Sequence, residues 1–317
     1  MLSRAREHGR AVRIDWRQYM VYIGFIVVFL FFAITLRDSG FTSTNNLLNI
    51  VRQTAIIATM AVAMTFVIAA GQIDLSVGAV AGLSSVMTAL TIDRFGAVAG
   101  VAAGLLTGLV VGGVNGLLVT RLAIPSFLVT LGMMGVAHGL GNWITSSAAV
   151  PIRNDLYNNV FGSGNLGSVP SLLIWSAVVT AFGYVVLRKT PYGRQVLATG
   201  GNEAAARFSG VETRRIGLMV LVVSGTVAAL AGMLYAGRLQ TGRYQLGEGD
   251  ELSVIAAVVL GGTSLFGGFG SVSGSVLGAL LIGVVNNGLI LLGLEASQQE
   301  IIRGAIIVVA VALARRE

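Results

Sequence analysis

Few side chains in this chain could do chemistry in an apolar setting, and their positions are informative. Asp74 and Glu251 are the two acids nearest to long apolar runs. A carboxylate there can face a route for polar solutes. It can also cap the helix it precedes, a contribution of about 0.5–2 kcal/mol, with Ser76 and Ser253 assisting. Both roles can hold together. Asn115, Asn286 and Asn287 lie inside or at the ends of apolar runs, where an amide must be paired or wetted. They either bond across helices or line a polar path. His138, with Asn142 and Trp143 about one turn on, reads as a packed hydrogen-bonding residue rather than a proton relay.

Other chemistry is excluded by what the chain lacks. A phosphate-binding loop needs a glycine before its lysine, and Arg188 takes that place before Lys189-Thr190. With no cysteine and only His8 and His138, disulfides, thiolate metal sites and histidine clusters are ruled out. No nucleophile elbow, HExxH or paired-carboxylate pattern stands out, so the residues support neither an enzyme nor a resident cofactor. The net charge is +7, but the arginines are spread over loops and not gathered on a soluble domain, which argues against nucleic-acid binding.

The elements that must position these residues are membrane helices. Of 317 residues, 55% are hydrophobic and 11% charged, with a mean hydropathy of +0.82; soluble domains carry about 25% charged residues. The expected fold class is an all-α polytopic membrane protein. Ten candidate spans are read at 19–36, 54–70, 76–92, 97–119, 126–145, 171–187, 216–236, 252–265, 274–293 and 300–314. The eighth is short and interrupted by Gly261, Gly262, Gly267 and Gly268. Residues 1–18 form a basic segment with five arginines; the apolar run after it is too long for a signal peptide and is read as a retained first span. Residues 19–317 then form one transmembrane domain. Placing the N-terminus inside puts fourteen of the 21 basic residues in inner loops and tails, in line with the positive-inside rule. Both termini are expected in the cytoplasm.

Two further patterns organise the spans. In the fourth, Gly96, Gly100, Gly104, Gly108, Gly112 and Gly116 recur at every fourth residue, a stripe that lets another helix approach closely. Asp74-Leu75-Ser76-Val77 opens the third span and Glu251-Leu252-Ser253-Val254 the eighth, followed by Asn115-Gly116-Leu117 and Asn287-Gly288-Leu289 at 41 and 36 residues from acid to Asn. Five spans separate the copies, so the pattern predicts an inverted repeat of spans 2–5 and 7–10, a transporter architecture with the route at the repeat interface.

One polar island, residues 188–215, interrupts the apolar sequence. It holds Arg188, Lys189, Arg194, Arg207, Arg214 and Arg215, two acids, Glu203 and Glu212, and a stretch that reads as a short Ala-rich helix. It falls on the inner side and suits a rigid element that meets a soluble partner.

Several segments resemble the permease subunits of ribose-type, simple-sugar ABC importers. They are Gly71–Gly78, Asn115–Leu118, Ile124–Gly132, Gly200–Val211 and Glu251–Gly262, in family order along residues 45–312. Two departures are Gln72, where glycine is common, and Ser126, where a second proline is common. The resemblance implies a bacterial inner-membrane subunit that translocates a monosaccharide or related polyol. Its implied partners are a cytoplasmic ABC ATPase with two nucleotide-binding domains, a periplasmic or lipoprotein sugar-binding protein, and a second permease copy or a paralogue. It implies that the island docks on the ATPase through Gly193, Gly200, Gly201, Asn202, Glu203, Ala204, Ala205, Arg207 and Gly210. The translocation path is expected past Asp74, Asn115, Phe127, Thr130, Glu251, Asn286 and Asn287. An ion-coupled secondary transporter is the alternative, although the spans carry few of the ionisable groups it needs. A membrane scaffold or channel subunit would not account for the island.

Overall fold

A computed structural model describes residues 16–314. The basic segment expected over 1–18 falls almost wholly outside the described residues, as do Arg315, Arg316 and the side chains of Arg17 and Arg303. The helices in chain order are α1 (Trp16–Thr35), α2 (Thr44–Ala69), α3 (Val77–Phe95), α4 (Ala97–Arg121), α5 (Ser126–Thr145), α6 (Asp155–Asn158), α7 (Ser171–Lys189), α8 (Pro191–Gly201), α9 (Glu203–Phe208), α10 (Thr213–Leu239), α11 (Asp250–Leu260), α12 (Val272–Leu291) and α13 (Ala296–Ala314). Strands are confined to two-residue pairs: β1 (Val150–Pro151) with β4 (Thr241–Gly242), and β2 (Asn165–Leu166) with β3 (Val169–Pro170), both antiparallel. Among the described residues, α2, α4, α5, α7, α10 and α12 are long and apolar enough to cross a membrane. The chain is a polytopic all-α membrane protein.

The core is built on α2, α3, α10, α11 and α12, and α4 lies along α10 and α3. The α4 stripe explains the last contact. A Cβ on Gly108 would meet the Gly225 carbonyl and Ala229; one on Gly112 would meet Leu221 and Val222, and one on Gly116 would meet Leu218. Small residues thus let the α4 and α10 backbones touch, which is how helices associate where no hydrophobic drive exists between them. Gly96 is a correction to the expected stripe. It sits between α3 and α4 at φ +84° with nothing within 4 Å of a Cβ, so it serves the turn and not the packing. The outward faces of α4, α5 and α7 carry exposed Val98, Leu106, Leu131, Trp143 and Phe182, as lipid-facing helices do.

Two expected boundaries are also corrected. The second span begins at Thr44, not residue 54, because Ser43 caps α2 by accepting the Asn46 N–H at 3.3 Å, and Arg52 extends to Asn165 Oδ1 at 3.3 Å. A long cation can leave its helix in this way and reach a polar partner. The span expected over 252–265 is α11, which ends at Leu260 after 11 residues. At 1.5 Å per residue that is about 16 Å, roughly half of a hydrocarbon core. Gly262, at φ +84°, turns the chain away.

The missing half is non-helical chain, two strand residues followed by a run of turns over 244–249. Residues 241–247 run antiparallel along α3, with the Tyr244 carbonyl against Gly82 and the Gly247 carbonyl against Gly78. Ser85 Oγ accepts from Arg243 N–H at 3.1 Å and contacts the Arg243 carbonyl at 2.9 Å. Irregular backbone among membrane helices is tolerated where protein buries it, and the bare α3 face at Gly78 and Gly82 supplies that cover.

Candidate functional site

The first polar centre forms where the chain breaks between α2 and α3. Residues 70–76 are not helical, so their backbone groups need partners from elsewhere. The start of α5 supplies two of them. Ser126 Oγ accepts the Ile73 N–H at 3.0 Å, and Thr130 Oγ1, one turn further on, accepts the Leu75 N–H at 3.0 Å. Pro125 stands at the N-cap of α5, where no backbone donor is required, and sets these two residues on one face.

Asp74 turns inward from this break and is 1% exposed. Its Oδ1 accepts from Ser76 N–H at 2.9 Å and Ser76 Oγ at 2.6 Å, and its Oδ2 from Ser224 Oγ of α10 at 2.7 Å. Asn115 of α4 donates through Nδ2 to Ser76 Oγ at 3.0 Å, while its Oδ1 is buried without a partner among the described residues. One carboxylate therefore ties the break to α10, and through Ser76 to α4. The expected capping role changes form: Asp74 holds the residue before α3 in a local turn, and Ser76 makes no side-chain cap.

The other expected path residues lie around this centre unequally. Glu251 is half-buried in the first turn of α11, with Oε2 close to the Cβ position of Gly78 near the start of α3. The openings of α3 and α11 thus come together. The two asparagines do not behave alike. Asn115 joins Asp74, whereas Asn287 exchanges a reciprocal amide pair with Asn46 of α2 at 2.8 and 2.9 Å. Asn286 is half-buried on α12, and Phe127 is exposed on α5. His138 packs edge-on to Tyr244, with ring centroids 4.9 Å apart. Ser126 and Ser224 were missed by the sequence reading. Ser126 could have been found from its departure from proline; Ser224 carries no signal in an apolar Gly/Ser/Ala stretch.

The second polar centre is the island, which forms two short helices where one was expected. Thr190 caps α8 by accepting the Gly193 N–H at 3.2 Å, with Pro191 in the first helical position. Asn202 ends α8 and caps α9, accepting the Ala205 N–H at 3.0 Å. Glu203 pairs with Arg207 at 2.6 Å and accepts from Thr213 Oγ1 at 3.0 Å, so α9 is braced against the start of α10. Of the expected docking residues, Gly193 and Gly200 are in fact packing positions. A Cβ on Gly193 would enter the Leu187 carbonyl, and one on Gly200 would enter the Ala69 carbonyl. Gly201 lies against Gly268, and Gly210 at φ +84° ends α9 in open space. Asn202, Glu203, Ala204, Ala205 and Arg207 are exposed.

The two centres are adjacent. The Gly268 N–H donates to the Ala69 carbonyl at 3.0 Å, and the Cβ position of Gly71 is 3.7 Å from Gly200 Cα. The end of α2, the end of α8 and the 261–271 loop thus cross backbone to backbone, one residue before the Asp74 break. Tyr192 of α8 stacks near Phe66 with centroids 6.4 Å apart; burial pushes its phenol up to about 12, and its hydroxyl has no partner among the described residues.

A bundle of apolar helices with a buried polar break, joined to a braced polar island, defines a membrane transport subunit. Comparison with known proteins makes the class specific. Residues 46–311 match the family described as branched-chain amino acid transport system / permease component, and the chain belongs to that family. It is 38% identical over 295 residues to the ribose import permease protein RbsC of Bacillus subtilis, covering 92% of this chain and 91% of that one. To the L-arabinose ABC transporter permease protein AraH of Azospirillum brasilense it is 37% identical over 313 residues, 98% and 91% of the two chains. The probable ABC transporter permease protein YphD of Escherichia coli is 40% identical over 293 residues, 91% and 88% of the two.

Proposed function

We propose that this chain is the transmembrane subunit of an ATP-driven importer for a monosaccharide or related polyol. The observation that carries the reading is the island, two capped short helices of which α9 is braced through Glu203 to Thr213 and α8 is wedged against the end of α2. Such an element suits a permease moved by an engine it does not contain: a cytoplasmic ATPase with two nucleotide-binding domains. The sugar relatives favour a polyhydroxy substrate over the amino acids in the family's description. An extracytoplasmic binding protein would deliver it, and a second copy or a paralogue would complete the gate.

In this reading the membrane domain spans 19–317 of a bacterial inner-membrane protein, with ten crossings, related halves over spans 2–5 and 7–10, and both termini cytoplasmic. The α11 half-helix and the non-helical 241–247 segment together make the eighth crossing. The path runs past Asp74, Asn115, Phe127, Thr130, Glu251, Asn286 and Asn287, and opening it requires the network around the break to part. Weak polar contact suits a permease whose selectivity is set by its binding protein.

The test is uptake in proteoliposomes containing the chain, its two-domain ATPase and its binding protein. Labelled ribose and L-arabinose are supplied outside. Accumulation of either sugar should require ATP on the island side. Uptake driven by a sodium or proton gradient without ATP would overturn the reading.

A further inference from the structure

One face of α7 ends in charge. The helix buries Leu172, Ser176, Gly183 and Leu187 against the bundle. At about 100° per residue, Val178, Phe182, Val185 and Lys189 form a line on the opposite side, and Arg188 stands beside its last turn. All five are exposed, Phe182 by 71%. From Val178 to Lys189 the line is about 16 Å long, one leaflet's share of a ~30 Å hydrocarbon core. α8 folds back under the end of α7. A Cβ on Gly193 would meet the Val186 and Leu187 carbonyls, which brings exposed Arg194 to the same end. From the 261–271 loop, Phe269 reaches Arg188, whose guanidinium is 5.8 Å from the ring centroid.

The apolar line needs only lipid around it, but the three cations need more. Among the described residues none of them has an acid partner, and the island's two acids, Glu203 and Glu212, are matched to Arg207 and Arg215. The dipole at the C-terminus of α7 favours Arg188 and Lys189. Arg194 has no such support. It stands in the first turns of α8, where the dipole disfavours a cation and no acid accompanies it. An anion bound at this corner offsets that cost. We propose that this end of α7 holds a membrane lipid with an anionic phosphodiester headgroup. Its phosphate lies among Arg188, Lys189 and Arg194, and one acyl chain follows Val185, Phe182 and Val178. The Phe269 ring steadies the Arg188 guanidinium, whose planar fork matches phosphate oxygens. A soluble acidic partner is the weaker fit, because it cannot follow the line to Val178, within the span. The site goes beyond the importer reading and does not depend on it.

The test is native mass spectrometry of the full chain in detergent, with phosphatidylglycerol or phosphatidylcholine added at equal concentration. The wild type should retain phosphatidylglycerol at least tenfold over phosphatidylcholine, each cation favouring the anionic lipid by about fivefold. Arg188→Gln combined with Lys189→Gln should remove the preference, whereas Lys189→Arg alone should keep it. Arg214→Gln combined with Arg215→Gln removes as much charge from the start of α10 and should also keep it. Phe182→Ala should weaken phosphatidylglycerol retention severalfold, through lost contact with the acyl chain. Because these side chains are exposed, the variants should unfold at the wild-type temperature. Should the Arg188→Gln, Lys189→Gln variant unfold early, Arg194→Gln carries the test with an expected loss of about fivefold. Glycerol phosphate at millimolar concentration should not displace the lipid. Displacement would mark a site for free anions and overturn the lipid assignment. A preference that survives in the Arg188→Gln, Lys189→Gln variant would overturn it too, as would an equal loss in the Arg214→Gln, Arg215→Gln variant, which would show bulk charge alone. Equal retention of both lipids by the wild type would overturn it and leave the three cations to a soluble acidic partner.

Discussion

Removing one hydroxyl, in Ser224→Ala, tests whether Asp74 holds the bundle together. Ser224 and Asp74 are each 1% exposed, and the Ser224 Oγ–Asp74 Oδ2 bond is 2.7 Å. Asp74 Oδ1 keeps its two bonds to Ser76, but in the variant Oδ2 keeps no donor among the described residues. Leaving a buried acceptor without a donor costs about 1–3 kcal/mol, so about 2 kcal/mol of stability should be lost. Ser84→Ala is the internal control. Ser84 is equally buried, but its Oγ reaches two neutral carbonyls, Gly104 O at 3.2 Å and Ala229 O at 3.1 Å. Both carbonyls lie inside helices and accept backbone bonds as well, so neither is left without a donor and the loss should cost about 1 kcal/mol. Both variants are measured by tryptophan-monitored unfolding in one detergent at pH 7. In an Asp74→Asn background the cost of Ser224→Ala should fall to about half, because the amide keeps only one of the two acceptor oxygens and a double-mutant cycle reads the bond to the other. A Ser84→Ala cost equal to or above that of Ser224→Ala, or an unchanged cost in the Asn background, would refute the assignment.

Three other outcomes follow from packing. Gly108→Val should destabilise by about 1–3 kcal/mol, because even a Cβ would meet Ala229 at 2.5 Å and the Gly225 carbonyl; Gly113→Ala, with open space around it, should gain about 1 kcal/mol of helix propensity. The pair is read by thermal unfolding. Gly200→Ala should retain ATP hydrolysis while sugar moved per ATP falls at least tenfold in proteoliposomes, since a Cβ there forces α8 off the Ala69 carbonyl. Tyr192→Phe should stabilise by about 1 kcal/mol by removing a buried hydroxyl without a partner. Because burial pushes that phenol up to about 12, the gain should be the same at pH 6 and pH 9, as measured by unfolding at both.

Helix placement was legible wherever a run was uniformly apolar. α4 and α5 fall within two residues of their expected ends, because lipid leaves the backbone no other way to satisfy itself. Composition misleads where helix and lipid part company. The first turns of α2 are polar, with Asn45, Asn46, Arg52 and Gln53, yet they are helical because neighbours satisfy them. The polar segment before α11, left outside the eighth span expected over 252–265, is the opposite case. It is covered by the glycine face of α3, a cover that only tertiary structure reveals. The site shows the same division. Asp74 and Asn115 were visible as polar residues beside apolar runs, while Ser224 was invisible because serine is common in membrane helices. Ser126 lay between these cases. A proline there would have no side-chain oxygen, and the Ile73 N–H would lose the acceptor it has at 3.0 Å.

The glycines around residue 200 bear on how force could pass inward. A contact between long side chains absorbs displacement by changing rotamers, whereas a contact between backbones cannot. Gly200 meets the Ala69 carbonyl and the Gly268 amide with no side chain between them, and Gly267 and Gly268 hold φ +81° and +79°, a region that favours glycine. Displacement of α8 is therefore handed directly to the end of α2. The next residues, Gly71 to Ser76, are the non-helical break, the one stretch there that can change direction without breaking helical hydrogen bonds. What resists that change is the set of bonds converging on it from α4, α5 and α10 through Asn115, Ser126, Thr130 and Ser224. An input surface, a stiff joint and a bonded break in sequence form the arrangement expected of a gate worked from one side. In this view Ser224→Ala should alter the balance of gate states as well as stability, whereas Ser84→Ala, which lies off that line, should not.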